Sequence, residues 1–226
     1  MIKQHINKTT EKLYEVRFSK QERDSKNELW KVLCSDFLQN FLPKNAIVID
    51  LAAGYCEFIN NIKAKNKIAV DVSPATIKFA DNDVKVLNMS ALNLPKKMSN
   101  TIDVAFCGCF LEHLPSKKDV FKLFLEVKRI LKPGGKFIIL NPNIRFSTSD
   151  YWDYFDRLLA VSDRSVVEGL ELAGFKIFKV IPKFVPNTTK DRLPKNPLLV
   201  KIYLHLPFLY PILGRQMLII AQKYKL

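Results

Sequence analysis

The chain has 226 residues, of which 48% are hydrophobic and 26% charged, with a formal net charge of +14. That length buries enough surface to need no disulfide staples, and the composition is that of a soluble globular protein rather than a disordered or fibrous one. No run approaches the ~18–20 apolar residues of a spanning helix. Lys3, His5, Lys8 and Glu11 break any signal-like start, so the expected compartment is the cytoplasm.

The four cysteines form no C-x-x-C pair, and His5, His113 and His205 lie far apart, so no metal site is expected. The positive charge is uneven. From Lys176 onward there are ten basic residues and one acidic residue, Asp191. Such a bias fits an anionic partner: nucleic acid, an anionic membrane surface or a phosphorylated substrate.

In chain order, residues 1–44 read as an N-terminal helical segment. Trp30, Leu33, Phe37, Leu38 and Phe41 form its apolar face, and Pro43 ends it. The remainder, 45–226, reads as one domain. A short apolar run at 46–51 leads into a small-residue turn, Ala52-Ala53-Gly54. A second run at 67–71 precedes Ser73-Pro74, a helix start with serine as N-cap and proline at the first helical position. A third strand is predicted at 84–87 and a fourth at 101–106. The apolar run 102–109 places Cys107 and Cys109 on one face, both expected in the core.

A helix over 118–131, stopped by Lys132-Pro-Gly-Gly135, leads to a strand at 136–140. A helix at 162–173 with a Gly174 stop precedes strands at 175–181 and 216–222. Between those last two lies an insertion, 183–213, rich in proline and aromatic residues and too long for an ordinary hairpin connection. This alternation predicts an α/β, doubly wound, mostly parallel sheet of seven strands with both faces covered.

Open parallel sheets bind ligands beyond the carboxyl ends of their strands, where strand order reverses. Residues 48–58 are the first strand and the turn after it. The small side chains of the turn let backbone N–H groups approach a ligand closely, with Gly54 lacking a Cβ altogether. Asp71, about 20 residues further on, is placed to accept hydrogen bonds from ribose hydroxyls. These residues alone suit any nucleoside-bearing cofactor.

With the later segments the pattern becomes specific. Val48-Ile-Asp-Leu-Ala-Ala-Gly54, Ala69-Val-Asp-Val-Ser-Pro74, Thr101-Ile-Asp-Val-Ala-Phe106 with Leu111-Glu-His-Leu-Pro115, and Leu131-Lys-Pro-Gly-Gly-Lys-Phe-Ile-Ile-Leu140 stand in order across about 46–141. Together they resemble the class I S-adenosylmethionine-dependent methyltransferases. The resemblance implies the Rossmann-like methyltransferase fold with an antiparallel last strand, and S-adenosyl-L-methionine as cofactor. It implies that Asp50, Ala52 and Gly54 lie at the methionine part, Asp71 at the ribose, and Val72, Ser90 and Ala91 at the adenine, with Cys109 lining the cofactor site after the fourth strand. Two departures stand out: Ala52 and Cys56 replace the outer glycines of the first motif, and Ser90 replaces an acidic residue.

A methyl donor of this kind is already electrophilic, so the enzyme must hold a nucleophile in line and exclude water. A hydroxyl acceptor needs a base, and Glu112 or His113 is placed for that role; the alternative is that both cap or pack the structure. Asn143, Tyr151, Trp152, Tyr154 and Asp156 form a cluster suited to stacking on a sugar and bonding its hydroxyls, or else to packing.

The expected activity is O-methylation of a small or lipid-linked acceptor such as a surface-polysaccharide sugar. The alternatives are an RNA or other nucleic-acid methyltransferase and a non-catalytic cofactor-binding scaffold. Nucleic acid is disfavoured, because Cys109-Phe-Leu-Glu-His stands where amino-methylating enzymes carry an Asn-Pro-Pro-Tyr-like motif. The apolar stretch 197–213 suggests peripheral contact with the inner face of a membrane, a lid, a dimer contact or plain packing.

Overall fold

The computed structural model describes residues 19–147, 151–186 and 196–224. Seven strands form one sheet in the order β3-β2-β1-β4-β5-β7-β6. They are β1 (Ile47–Leu51), β2 (Asn66–Asp71), β3 (Val84–Asn88), β4 (Ile102–Gly108), β5 (Leu131–Pro142), β6 (Phe175–Ile181) and β7 (Gln216–Lys223). β3, β2, β1, β4 and β5 are mutually parallel, whereas β7 runs antiparallel to both neighbours. Strand order reverses beside β1, so the carboxyl ends of β1, β2 and β4 form one crevice.

The sheet is covered on both faces, which is why β1 and β4 read as almost unbroken apolar runs. Alternate residues serve separate cores. Ile49, Leu51, Ala105, Cys107 and Ile139 face one side, against α3 (Lys117–Ile130) and α4 (Asp163–Leu172). Val48, Val104, Phe106, Ile138 and Leu140 face the other, against α1 (Lys20–Asp36) and the insertion before β7. α3 buries Val120, Leu123, Phe124, Val127 and Ile130, a helical stripe, and the Ser116 hydroxyl caps its start. In α1 the Ser19 hydroxyl and the Glu22 carboxylate satisfy each other's backbone donors as a capping box.

Several local expectations are corrected. Ser73-Pro74 opens only a 3-10 turn, Pro74–Lys78, and the helix after the first turn, α2 (Glu57–Asn60), has four residues. The Asn60 amide bonds the Phe79 carbonyl at 2.8 Å, and its oxygen accepts from the Asp81 N–H at 3.1 Å, tying these short crossovers side by side. The Pro-Gly-Gly segment does not precede a strand; it is an irregularity inside β5, which begins at Leu131. A Cβ on Gly135 would lie 2.9 Å from the Lys132 carbonyl oxygen, so glycine is required at that bend. Cys109 does not share the core with Cys107. β4 ends at Gly108, and Cys109, at φ 49°, turns out to the surface.

The insertion forms α5 (Pro197–Leu204), a 3-10 turn (Pro207–Leu209) and α6 (Tyr210–Leu213). Tyr203, Leu204 and Tyr210 are buried in the same core as Leu33 and Leu38 of the N-terminal segment. Removing the insertion would therefore open that core. No helix among the described residues is long and apolar enough to cross a membrane.

Candidate active site

The turn after β1 bends sharply. Ala52, Gly54 and Cys56 have φ of 57°, 51° and 61°, the left-handed region. A side chain there costs roughly 1–2 kcal/mol, and the small Ala52 and Cys56 occupy it in place of glycine. The turn is pinned to β2. Ala53 donates its N–H to the Val70 carbonyl at 3.1 Å, and Gly54 donates to Asp71 Oδ2 at 2.8 Å. Asp71 Oδ1 accepts from the Ser73 N–H at 2.8 Å. Burial pushes the Asp71 carboxyl upward, against the opposing pull of the backbone donors at Ser73, Gly54 and Val72.

Asp50 is buried beneath the same turn. Burial, then the nearby Glu57 and Asp71 carboxylates, raise its carboxyl well above the ordinary range. Across the turn, Lys26 Nζ of α1 lies 2.9 Å from Glu57 Oε1. Burial works against the Lys26 charge, but Glu57 outweighs it and the ammonium is held above its usual value. Arg23 lies 5.5 Å over the Tyr55 ring, and Trp30 meets Phe106 edge-on at 6.0 Å. The sequence reading missed this cover from α1. Its only trace was the 23, 26, 30 spacing of Arg23, Lys26 and Trp30 along one helical face.

Of the other residues expected at the cofactor, Val72 follows β2, Ser90 and Ala91 follow β3, and Cys109 follows β4. Val72 and Ile77 are exposed apolar side chains just beyond β2. Ser90 is exposed and its hydroxyl accepts from the Leu92 N–H, while Ala91 is buried in the first core. The Asn88 amide ties the Asp71 and Val72 carbonyls, at 3.0 and 2.9 Å. Cys109 Sγ lies 3.7 Å from Gln216 Oε1, joining the end of β4 to the start of β7.

Glu112 and His113 sit in the 3-10 turn Leu111–His113 beyond β4. Glu112 is 1% exposed, and its Oε2 has no hydrogen-bond partner within the described protein. His113 Nδ1 lies 2.9 Å from the Asp156 carbonyl oxygen and 3.5 Å from its Oδ2. A carbonyl only accepts, so the proton belongs on Nδ1 and the Nε2 lone pair is free in the neutral ring. Nε2 lies 3.9 Å from Glu112 Oε1.

The expected acceptor cluster divides in two. Asn143 is fully buried, with its amide on Asp163 Oδ1 and the Pro182 carbonyl and its oxygen accepting from the Arg145 N–H. Tyr151 is also fully buried, its hydroxyl donating to the Leu159 carbonyl at 2.7 Å. Both are framework residues without a free surface, which corrects their expected place facing an acceptor. Trp152, 56% exposed, and the partly exposed Tyr154 and Asp156 remain on the surface, with Arg157 Cζ 4.4 Å over the Tyr154 ring. No group of His, Cys, Asp or Glu among the described residues is arranged to hold a metal.

Glu57 and Asp71 at the turn, with Asp50 buried beneath it, form an acidic cluster that suits a ligand bearing a cation and a diol, and the Lys26 ammonium already pairs with Glu57 as an internal cation. These residues fit a sulfonium nucleoside with an amino-acid tail. Residues 49–139 match the family described as a methyltransferase domain. The matched stretch spans β1 to β5 and has the fold of solved S-adenosylmethionine-dependent methyltransferases.

Solved structures share the fold at low identity. A methyltransferase of Archaeoglobus fulgidus superposes with a TM-score of 0.64 at 20% identity, covering 87% of this chain and 94% of that one. A Haloferax volcanii complex of the Trm112 methyltransferase activator with a methyltransferase gives 0.66 at 16%, covering 90% and 93%. A Thermotoga maritima methyltransferase gives 0.62 at 20%, covering 98% and 97%. No curated protein matches the chain.

Proposed function

We propose that this methyltransferase O-methylates a small or lipid-linked acceptor, such as a sugar of a surface polysaccharide, on the cytoplasmic side of the membrane. The observation that carries the reading is the His113–Asp156 contact. A hydroxyl is a poor nucleophile until its proton has somewhere to go, and an imidazole with Nδ1 fixed by a carbonyl presents Nε2 as the acceptor of that proton. Asp156 orients the ring and stabilises the imidazolium once formed; it is a positioning residue, where the sequence suggested contact with the acceptor.

Bound S-adenosylmethionine supplies an electrophilic methyl group. The chain's own residues do the rest. Asp71 would accept from the ribose hydroxyls, and Asp50 and Glu57 would supply the negative charge for the amino-acid tail. His113 takes the acceptor proton, and Glu112 is buried beside it, its Oε1 3.9 Å from Nε2. Trp152 and Tyr154 stand on the loop that carries Asp156, so the surface on which a sugar ring stacks and the group that orients the base move as one piece.

The test is methyl transfer from labelled S-adenosylmethionine to nucleotide sugars, lipid-linked glycan fractions and RNA, supplied separately. Label in a glycan as an ether stable to mild base is the expected result. Label in RNA alone would assign the basic chain to nucleic acid instead.

A further inference from the structure

We infer that Glu112 is a specificity-determining residue that reads a second hydrogen-bond donor beside the hydroxyl taken up by His113, so that the acceptor is a vicinal diol. The inference rests on the reading of His113 as the base and extends it to the chemistry of the neighbouring carbon.

Glu112 is almost wholly buried, yet no donor of the described protein serves its carboxylate. Oε2 accepts no hydrogen bond, and the one ion-pair neighbour of Glu112 among the described residues is His113, whose Nε2 stands 3.9 Å from Oε1, beyond hydrogen-bond length. The groups around it are engaged elsewhere. The Leu158 and Leu159 N–H groups donate to the backbone carbonyl of Glu112 at 2.8 and 3.0 Å. The Leu111 N–H donates to Asn141 Oδ1 at 3.2 Å, and the Tyr151 hydroxyl donates to the Leu159 carbonyl. Folded proteins rarely bury a carboxylate without donors, because its lost hydration is then not replaced. Such a group beside an imidazole with an open nitrogen marks a place where the missing donor arrives with a ligand.

Under the proposed function the hydroxyls and ammonium of S-adenosylmethionine are met by Asp71, Asp50 and Glu57, so the donor for Glu112 comes with the acceptor. One hydroxyl carries one proton, and the proton given to Nε2 cannot also serve Oε1. Two hydroxyls on adjacent ring carbons stand about a hydrogen-bond length apart, which matches two receiving atoms separated by 3.9 Å. The bonds from Leu158 and Leu159 fix Glu112 to the loop that holds Asp156 and exposes Trp152, so both receiving atoms and the stacking ring share one framework. A site of this design rejects an acceptor lacking the second donor, since that ligand would leave the carboxylate buried and unpaired.

The test compares cis-1,2-cyclohexanediol with cyclohexanol, rings of sugar size that differ by one hydroxyl. Binding is measured by ligand-observed NMR titration of the full chain saturated with S-adenosylhomocysteine. The wild type should bind the diol about 10- to 100-fold more tightly. Glu112→Met should abolish that preference and raise the melting temperature, because an apolar side chain of similar length replaces a buried unpaired carboxylate. Glu112→Gln keeps one acceptor oxygen and should retain part of the preference. A lower melting temperature of Glu112→Met with the diol preference intact would assign Glu112 a structural role and overturn the inference. Equal wild-type affinity for the two rings, or binding of neither, would overturn it as well. His113→Ala separates this inference from the reading beneath it: both rings should weaken alike, and if neither weakens, the base assignment itself fails.

Discussion

Gly54 donates its backbone N–H to Asp71 Oδ2 at 2.8 Å, and this bond makes the bend after β1 and the end of β2 a single unit. Under the proposed function Asp71 serves twice, as the brace of the turn and as the carboxylate offered to the cofactor ribose. Substitution should be felt in both. Asp71→Ala should weaken S-adenosylmethionine binding by about 1–3 kcal/mol, or roughly 5- to 150-fold, and also lower the melting temperature, because the Gly54 and Ser73 N–H groups lose their acceptor. Calorimetry and thermal melts measure the two effects. Unchanged affinity would remove Asp71 from the cofactor site.

The turn carries backbone strain at identifiable positions. Ala52 is left-handed at φ 57°, whereas its neighbour Ala53 is not. Ala52→Gly should leave stability equal or higher by up to about 1 kcal/mol, relief of strain outweighing the greater freedom of the unfolded chain. Ala53→Gly should lose about 0.5–1 kcal/mol. Opposite signs in denaturant midpoints are the expected outcome, and equal signs would contradict the strain argument.

Asp50 should destabilise the fold as pH rises. Its folded-state carboxyl is raised by burial and then by Glu57 and Asp71, so it favours folding while protonated. That contribution is complete below the unfolded carboxylate range and lost as pH rises through the folded value. Asp50→Asn should therefore raise the melting temperature, with the gain growing toward neutral pH, and, under the proposed function, weaken S-adenosylmethionine binding. A gain independent of pH would show that the carboxyl ionises alike in the folded and unfolded chain.

The proposed base predicts a divided set of kinetic effects. His113→Ala should lower kcat about 10²–10⁴-fold on a hydroxyl acceptor with little change in S-adenosylmethionine affinity. Asp156→Asn keeps the backbone carbonyl that holds Nδ1 and removes only the carboxylate, so it should cost less and act on kcat more than on KM. A full-rate His113→Ala enzyme would leave the imidazole with a structural role only.

Trp152→Ala should raise the acceptor KM several-fold while the melting temperature stays within a degree or two, because this exposed ring contributes little to the core. Tyr151→Ala, one residue earlier, should instead unfold the loop, since that side chain is fully buried and its hydroxyl is committed to the Leu159 carbonyl. Steady-state kinetics on the first and thermal melts on both distinguish an acceptor surface from its framework.

The sequence determined the seven strands and their mostly parallel sheet, because those signals are local: apolar runs of strand length, punctuated by small-residue turns and helix caps. It could not show that Cys109 leaves the core. One residue at φ 49° breaks the period-2 pattern, and side-chain identity does not announce that reversal. It grouped Asn143 and Tyr151 with Trp152 and Asp156 on chemistry alone, and only packing separated the buried pair from the exposed one. Lys26 meeting Glu57, and Asp156 holding His113, join residues 31 and 43 positions apart that no motif links. Contacts of that kind arise when helices and loops settle on a finished sheet, so the tertiary structure alone decided what covers the cofactor turn and which group orients the imidazole.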